Sequence, residues 1–201
     1  MGRLRESVRH HHTQRHGDEH WDQHVRAVEA LWRTIRVRVA GLRLDPARTR
    51  LYQDGLPVCA QVGAIVADLA AAGSENHRLL TELAAAGATI EGTESPELLL
   101  LEYQLALRTL NAAGAVVGPE AQVEFARLGR ELLERRDRFI AAQIDQTLEP
   151  GETGVIFLGL LHGLGPYLPA GLRLERLETA GPSEPSVAGS TRLTNVLPPE
   201  T

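Results

Sequence analysis

The stretch at residues 153–163, which reads TGVIFLGLLHG, constrains the fold of this chain more than any other part of the sequence. Residues 154–158 form a continuous apolar run with Val, Ile and Phe, which is typical of a strand buried on both faces of a parallel sheet. Gly159 ends the run, and His162 follows it closely. Open α/β sheets bind their ligands beside the carboxyl ends of such strands. The stretch therefore predicts a central strand with a candidate functional histidine at its end.

The rest of the chain supplies strands and helices to surround this central strand. Strands are predicted at residues 49–53 and 88–92, and alternation at 173–177 predicts an edge strand. Helices are predicted at residues 18–42, 58–72, 74–86, 96–114 and 118–148. The order of strand, two helices, strand, two helices and strand favours a parallel sheet with right-handed crossovers. The predicted fold class is α/β, with a small, largely parallel sheet flanked by long helices and an N-terminal amphipathic helix.

The length of 201 residues and the apolar content of 43% suit a single domain with a sizeable core. We predict that this α/β domain spans residues 1–178, with residues 1–44 as its N-terminal amphipathic helix region. Residues 179–201 shift to Pro, Ser, Gly and Thr, and we predict a disordered C-terminal tail there. Three strands and an edge strand make a thin sheet, which indicates that a strand is missing or is supplied by a partner.

The helix predicted at residues 18–42 carries an apolar stripe at alternating steps of four and three residues. Its members are Trp21, Val25, Val28, Trp32, Ile35, Val39 and Leu42. Such a stripe either docks on the core of the domain or forms a homodimer through a coiled seam. The pattern alone leaves both interpretations open.

Histidines recur every four residues along one side of the same region, at His12, His16, His20 and His24. Histidine pairs four apart on a helix can bind a divalent metal. The stripe drifts around the helix, however, and Gly17 interrupts it. A solvated polar face is the favoured interpretation.

Composition excludes several kinds of chemistry. All 21 basic residues are arginine, so a Schiff-base lysine, a lysine general base and a G-x-x-x-x-G-K phosphate loop are all excluded. The single cysteine, Cys59, excludes an internal disulfide and a cysteine-based zinc cluster. We interpret Cys59 as a small packed hydrophobe.

Charge and hydropathy bear on partners and location. Residues 1–50 carry a net charge of about +5 and the remainder about −10. The arginines of the basic part scatter around a helix without a nucleic-acid-binding motif, so we predict no nucleic-acid partner. An apolar run long enough for a membrane span is absent from the sequence, as is a signal-peptide pattern at residues 1–15. We therefore expect a cytoplasmic protein without a membrane partner.

Three ionisable residues follow the carboxyl ends of the three predicted strands: Asp54, Glu94 and His162. If the strands are parallel neighbours, these side chains converge on one crevice. Two carboxylates and an imidazole with an open position for water form a catalytic divalent-metal shell. The ion would lower the pKa of bound water and so produce a nucleophile.

Two further residues are assigned catalytic roles around this shell. Glu97 is a candidate metal ligand or general base, and Arg136 or Arg138 a candidate for stabilising an oxyanion or orienting a carboxylate. Structural interpretations remain open beside these. Asp54-Gly55 is a common turn pair in which Asp bonds its own backbone, and Glu94 is equally placed simply to precede a helix cap.

The end of the central strand resembles a known family. Gly159-Leu160-Leu161-His162 matches a G-x-x-H at the end of an apolar strand, and the helix before it carries the pair Arg136-Asp137. This combination resembles the TraB/Tiki-like proteins, which share a superfamily with erythromycin-esterase-like enzymes. The resemblance covers residues 135–177, about a fifth of the chain. It implies a metal-dependent hydrolase, with His162 as a metal ligand or catalytic histidine, Arg136 as a site residue and Glu94 in place of a family glutamate.

The whole chain is also similar to a prokaryotic group marked by YQDGLP at residues 52–57, GTESPE at 92–97 and the strand that leads to His162. Members of that group carry an additional opening strand that ends in a histidine just before a Met-Gly-x-Leu stretch. This chain begins Met1-Gly2-Arg3-Leu4 and so departs from the group there, either through a misplaced start codon or through real loss of the strand. Its absence would account for a thin sheet.

Two functional hypotheses follow. The first is a metal-dependent hydrolase of TraB/Tiki-like type that acts on a peptide or a small ester. The alternative is a non-enzymatic small-ligand-binding or regulatory protein that self-associates through its helices.

Overall fold

The computed structural model describes residues 18–113, 118–177 and 189–195. Within these residues the chain forms five α-helices and five strands. The helices are α1 (Asp18–Gly41), α2 (Val62–Ala71), α3 (Glu75–Ala85), α4 (Pro96–Ala113) and α5 (Pro119–Thr147). The strands are β1 (Thr49–Gln53), β2 (Thr89–Ile90), β3 (Thr153–Leu158), β4 (Leu172–Leu177) and β5 (Gly189–Asn195). The predicted α/β fold is confirmed.

The strands form one sheet in the order β2-β1-β3-β5-β4. β1 pairs in parallel with β2 and with β3, and Leu51 lies opposite Val155 in the second pair. β5 runs antiparallel to β3 and to β4. β3 therefore has a neighbour on each side, as its wholly apolar sequence predicts. The alternating strand β4 lies at the edge, which confirms that prediction.

The prediction of a disordered tail at residues 179–201 is wrong at β5. Residues 189–195 pair with β3 along its whole length and with β4, so the domain extends beyond residue 178 to at least residue 195. The physical reason is non-local: β3 offers a free edge of backbone N–H and C=O groups, and pairing with that edge satisfies them whatever the local composition. The extra strand comes from the chain itself. The other predicted tail residues, 179–188 and 196–201, lie outside the described residues, as do residue 178 and residues 1–17.

The sheet separates two apolar clusters because side chains alternate between its faces. On one face Leu51, Val155 and Phe157 pack against α1, α2 and α3. On the other face Tyr52 and Ile156 pack against Ile140, Ile144 and Leu148 at the carboxyl-terminal end of α5. Tyr52 keeps its hydroxyl satisfied by Thr147 at 2.8 Å. Helices therefore cover both faces of β1 and β3.

The apolar stripe of α1 is only partly used by the core. Ile35 and Val39 are buried, and Trp32 stacks at a tilt on Phe157 with ring centroids 5.8 Å apart. Val28 remains 38% exposed. The carboxyl-terminal half of α1 thus docks on the sheet, while the homodimer predicted through this stripe stays a prediction. The side chains of the stripe formed by His12, His16, His20 and His24 lie outside what the structure describes.

None of the helices in the described part of the chain is long and apolar enough to cross a bilayer.

Candidate functional site

Asp54 is the first residue after β1 and joins the end of that strand to the end of β3. Its backbone N–H donates to the Phe157 carbonyl at 3.0 Å, and its Oδ2 accepts from the Gly159 N–H at 2.8 Å. The side chain is 31% exposed. The carboxylate therefore does not simply cap its own turn. It bridges two strand ends and keeps a face open to solvent.

His162 lies in the loop after β3 and is fixed by a carboxylate from α5. Its Nδ1 is 2.5 Å from Asp137 Oδ1, and the Gly163 N–H donates to Asp137 Oδ2 at 2.8 Å. This pairing places the proton on Nδ1 and turns Nε2 the other way. Nε2 lies 3.6 Å from Asp54 Oδ2, and the imidazole is only 4% exposed. The structure therefore brings together Asp54 and His162, two of the three predicted metal ligands.

Glu94, the third predicted ligand, is fully buried and engaged elsewhere. Its Oε2 accepts from Arg136 Nε at 2.5 Å, and its Oε1 accepts from Arg136 Nη2 at 2.6 Å. The Gly55 N–H donates to the same Oε1 at 2.7 Å. Three donors thus surround the two carboxylate oxygens. In this arrangement Glu94 is a partner of Arg136 and of the loop after β1.

Arg136, predicted as a catalytic residue, uses its remaining Nη1 to bond Glu102 on α4. Each of its three guanidinium nitrogens thus bonds a carboxylate. Its donors face Glu94 and Glu102, and the group is 6% exposed. The geometry fits an orienting role better than contact with an oxyanion of a substrate.

The structure does not bring the other predicted catalytic groups to Asp54 and His162. Glu97 is exposed in the first turn of α4, and none of the hydrogen bonds among the described residues connects it to either side chain. Arg138 bonds Glu134 at 2.6 Å and lies over the Tyr167 ring at 5.4 Å from its centroid. Its neighbours Arg136 and Asp137 point inwards, whereas Arg138 is exposed on the outer face of α5.

Asp137 was not selected from the sequence as a site residue, although its Arg-Asp pair belongs to the family resemblance. A signal was present in the periodicity of α5. Asp137, Ile140 and Ile144 are spaced three and four residues apart, so the acid lies in phase with the apolar stripe. A carboxylate on a buried helix face must be paired or hydrogen-bonded. That requirement would have marked Asp137 as a partner of some buried donor.

The electrostatics of the site couple the protonation of Asp54 and His162. Burial raises the pKa of Asp54, and the Gly159 N–H and the nearby charge of His162 only partly offset that rise. For His162, burial lowers the pKa, but the hydrogen bond to Asp137 and the charges of Asp54 and Asp137 outweigh it, so the net pKa is raised. Each group therefore holds its proton to a higher pH than it would in water.

The donor set fits the predicted divalent ion in part. Asp54 Oδ2 and His162 Nε2 are 3.6 Å apart, close to the separation of about 3.4 Å expected for two ligands of a tetrahedral ion. A catalytic zinc site uses three protein ligands, however, and Glu94 is held by Arg136. Within the described ranges, groups of three or more His, Cys, Asp or Glu side chains placed to hold a metal are absent. The metal ion stays a prediction that rests on a two-donor pair.

The chain matches no protein-family model, no curated protein and no solved structure. The resemblance to TraB/Tiki-like proteins therefore stays a prediction, which rests mainly on residues 135–177.

Proposed function

We propose that this protein is a hydrolase of TraB/Tiki-like type that acts on a peptide or a small ester, with Asp54 and His162 as its proton-transferring pair. The observation that supports the proposal is the line formed by Asp137, His162 and Asp54 at the carboxyl ends of β1 and β3. A histidine oriented through Nδ1 by a carboxylate, with Nε2 directed at a second polar group, is the arrangement of a general base.

In this mechanism the exposed face of Asp54 meets the attacking water. As the water oxygen forms its bond to the carbonyl carbon, one of its protons passes by way of the Asp54 carboxylate to His162 Nε2, which becomes an imidazolium. When the bond from that carbon to the leaving oxygen or nitrogen breaks, the same proton returns to the leaving group. Asp137 balances the imidazolium that forms transiently. The raised pKa of Asp54 brings this carboxyl closer to the working range of a base near neutral pH, and the raised pKa of His162 favours the imidazolium that returns the proton.

A divalent ion is compatible with the same two side chains. Asp54 and His162 would hold it, and it would supply a bound water of lowered pKa. Asp137 would then orient the metal ligand His162, because a carboxylate bonded to the second ring nitrogen fixes the tautomer of the imidazole and raises its basicity.

A second candidate, a small-ligand-binding protein that self-associates through its helices, is favoured by exposed apolar side chains. Val28 on α1 is 38% exposed, Leu100 on α4 56%, and Leu161 beside His162 82%. Apolar groups in contact with water favour a partner or a ligand that covers them.

Hydrolysis of chromogenic peptides and nitrophenyl esters by untagged protein separates the two candidates. Rates are measured with a chelator and again with added zinc or manganese. The proposal predicts turnover that is lost in His162→Ala and kept in Arg138→Gln, a change on the outer face of α5. Turnover that survives His162→Ala would contradict it. Binding of these peptides or esters next to Asp54 without their hydrolysis would favour the ligand-binding candidate.

A further inference from the structure

We propose that the buried Arg136–Glu94 ion pair is a positioning device, which together with Asp137 sets the spacing between Asp54 and His162. The inference rests on the proposed function in one respect, that Asp54 and His162 are the reacting pair. It assigns to Glu94 and Arg136 a role other than metal ligand or oxyanion donor.

The first half of the device holds the loop that carries Asp54. Arg136 grips both oxygens of Glu94, and Glu94 Oε1 receives the N–H of Gly55, the residue directly after Asp54. The backbone of Glu94 repeats the connection, because its N–H donates to Leu56 O at 2.9 Å and its carbonyl accepts from Val58 N–H at 2.8 Å. The loops after β1 and β2 are thus fastened to each other and to α5.

Gly92 permits this fastening. A Cβ at residue 92 would lie 2.6 Å from the Cα of Val58 and 2.9 Å from the Pro57 carbonyl oxygen. Both are backbone atoms, which cannot rotate aside as the end of a side chain can. The two loops can approach this closely only with glycine at that position.

The second half of the device holds the loop that carries His162. Asp137 bonds the imidazole through Oδ1 and the Gly163 N–H through Oδ2. Arg136 and Asp137 are consecutive residues on α5. One turn of one helix therefore sets the positions of both loops, and the 3.6 Å gap between Asp54 Oδ2 and His162 Nε2 follows from it.

Stability alone is a weak explanation for this ion pair. Glu94 is fully buried and Arg136 is 6% exposed, so both charges lose most of their hydration. A buried ion pair often contributes no more stability than apolar residues of the same volume. A bidentate pair does provide fixed geometry, because the planar guanidinium matches the two carboxylate oxygens.

The chain offers a matched control in Arg50, which is held in the same way away from the site. Arg50 Nε and Nη2 bond the two oxygens of Glu152 at 2.6 and 3.2 Å, and Nη1 bonds Glu91 at 2.5 Å. Arg136→Lys and Arg50→Lys thus each keep a charge and each lose a bidentate fork.

The test reads the imidazole of His162 directly and needs no substrate. Chelator-treated, ¹⁵N-labelled protein is examined at one fixed pH by correlation of the ring nitrogens with the ring protons. The His162 signals are identified by their loss in His162→Ala. Asp54→Asn shows where the Nε2 resonance moves when the charge opposite it is removed. Glu94→Asp, which keeps the charge but shortens the reach to Gly55, serves as a second variant.

We expect Arg136→Lys and Glu94→Asp to shift the Nε2 resonance towards its Asp54→Asn position, and Arg50→Lys to leave it in place. A wild-type resonance in folded Arg136→Lys or folded Glu94→Asp would overturn the proposal. So would failure of both variants to fold while Arg50→Lys folds, because the pair would then be required for the fold itself. The expected shift without any hydrolysis would support the positioning role and count against the proposed function only.

Discussion

Asp54 carries a cost in stability that its proposed role explains. Burial raises its pKa, so the folded protein binds a proton at this carboxyl more readily than the unfolded chain does. The contribution of such a group is fully present at low pH and is lost as pH rises from the ordinary Asp range through the raised value. At neutral pH, burial of the ionised Asp54 carboxylate therefore lowers the free energy of unfolding.

Asp54→Asn should accordingly abolish hydrolysis while leaving the free energy of unfolding unchanged or raised at pH 7. The amide oxygen can still accept from the Gly159 N–H, and no charge has to be buried. The gain should shrink towards pH 4, as the native carboxyl gains its proton. Urea denaturation at the two pH values measures this. A loss of stability at pH 7 would show that the charge of Asp54 is needed by the fold.

Asp137→Asn should act in the opposite way and destabilise the protein. The amide oxygen can replace only one of the two carboxylate oxygens, and the amide nitrogen donates rather than accepts. Either the imidazole or the Gly163 N–H therefore loses its acceptor, at a cost of about 1–3 kcal/mol. The pKa of His162 is raised in the folded state, so its contribution is fully present below the ordinary His pKa and is lost as pH rises through the raised value.

The destabilisation should therefore be larger at pH 5.5 than at pH 9, as measured by urea denaturation. Asp145→Asn, at an exposed position of the same helix, is the control and should cost little at either pH. An equal loss from Asp137→Asn at both pH values would mean that the imidazolium is not its partner.

Much of the candidate site could be predicted from the positions where strands end. The rest depends on contacts between distant segments, which the sequence does not reveal. Asp54 and His162 could be predicted because apolar strands and the glycines after them mark positions where parallel strands end. Glu94 was located correctly after β2, but its partner Arg136 lies 42 residues away on another element. No local pattern separates a buried ion pair from a metal ligand. The role of Glu94 therefore could not be predicted from the sequence.

At the scale of elements, α1 shows that a uniform apolar stripe can be buried along only one half of a helix. Its apolar stripe predicts the helix correctly, yet only the carboxyl-terminal half reaches the core at Ile35 and Val39. Periodicity reports which side chains share a face. It carries no information on how much of that face another element covers.

Trp32→Ala should lower the free energy of unfolding by about 2 kcal/mol, less than the roughly 3–5 kcal/mol of a fully buried aromatic, because Trp32 is half-buried on Phe157. Val28→Ala, one helical turn earlier and more exposed, should cost within about 0.5 kcal/mol. Urea denaturation with light scattering measures stability and mass together. A fall in mass for Val28→Ala, with stability lowered at low protein concentration, would instead place Val28 in a dimer.

β5 is the element that composition misrepresents. Its residues look like a tail, but they pair with the free edge of β3, and β4 pairs with β5 alone among the described strands. A chain that ends after Leu177 should therefore lose both antiparallel strands from the sheet and expose the edge of β3.

That truncation should lower the urea midpoint and promote aggregation in size-exclusion chromatography, whereas a chain that ends after residue 195 should behave as the full chain does. An unchanged midpoint in the shorter chain would show that β5 adds nothing to the fold.

At the scale of the whole molecule, the site lies where the architecture places it. Helices cover both faces of β1 and β3, so polar groups can meet a ligand only at the sheet's ends. The order of strands and helices predicts this arrangement. The fifth strand and the fastening of two loops to α5 depend on pairings between distant segments, and only the folded chain reveals them.

The central claim is that Asp54 and His162 act as one unit, and a double-mutant cycle on hydrolysis tests it most directly. The rates of Asp54→Asn, His162→Gln and the double variant are compared with the wild type under the same conditions. Groups that act together lose their effect together, so the double variant should be no slower than the slower single variant. Losses that multiply in the double variant would show that the two residues act independently and would contradict the account.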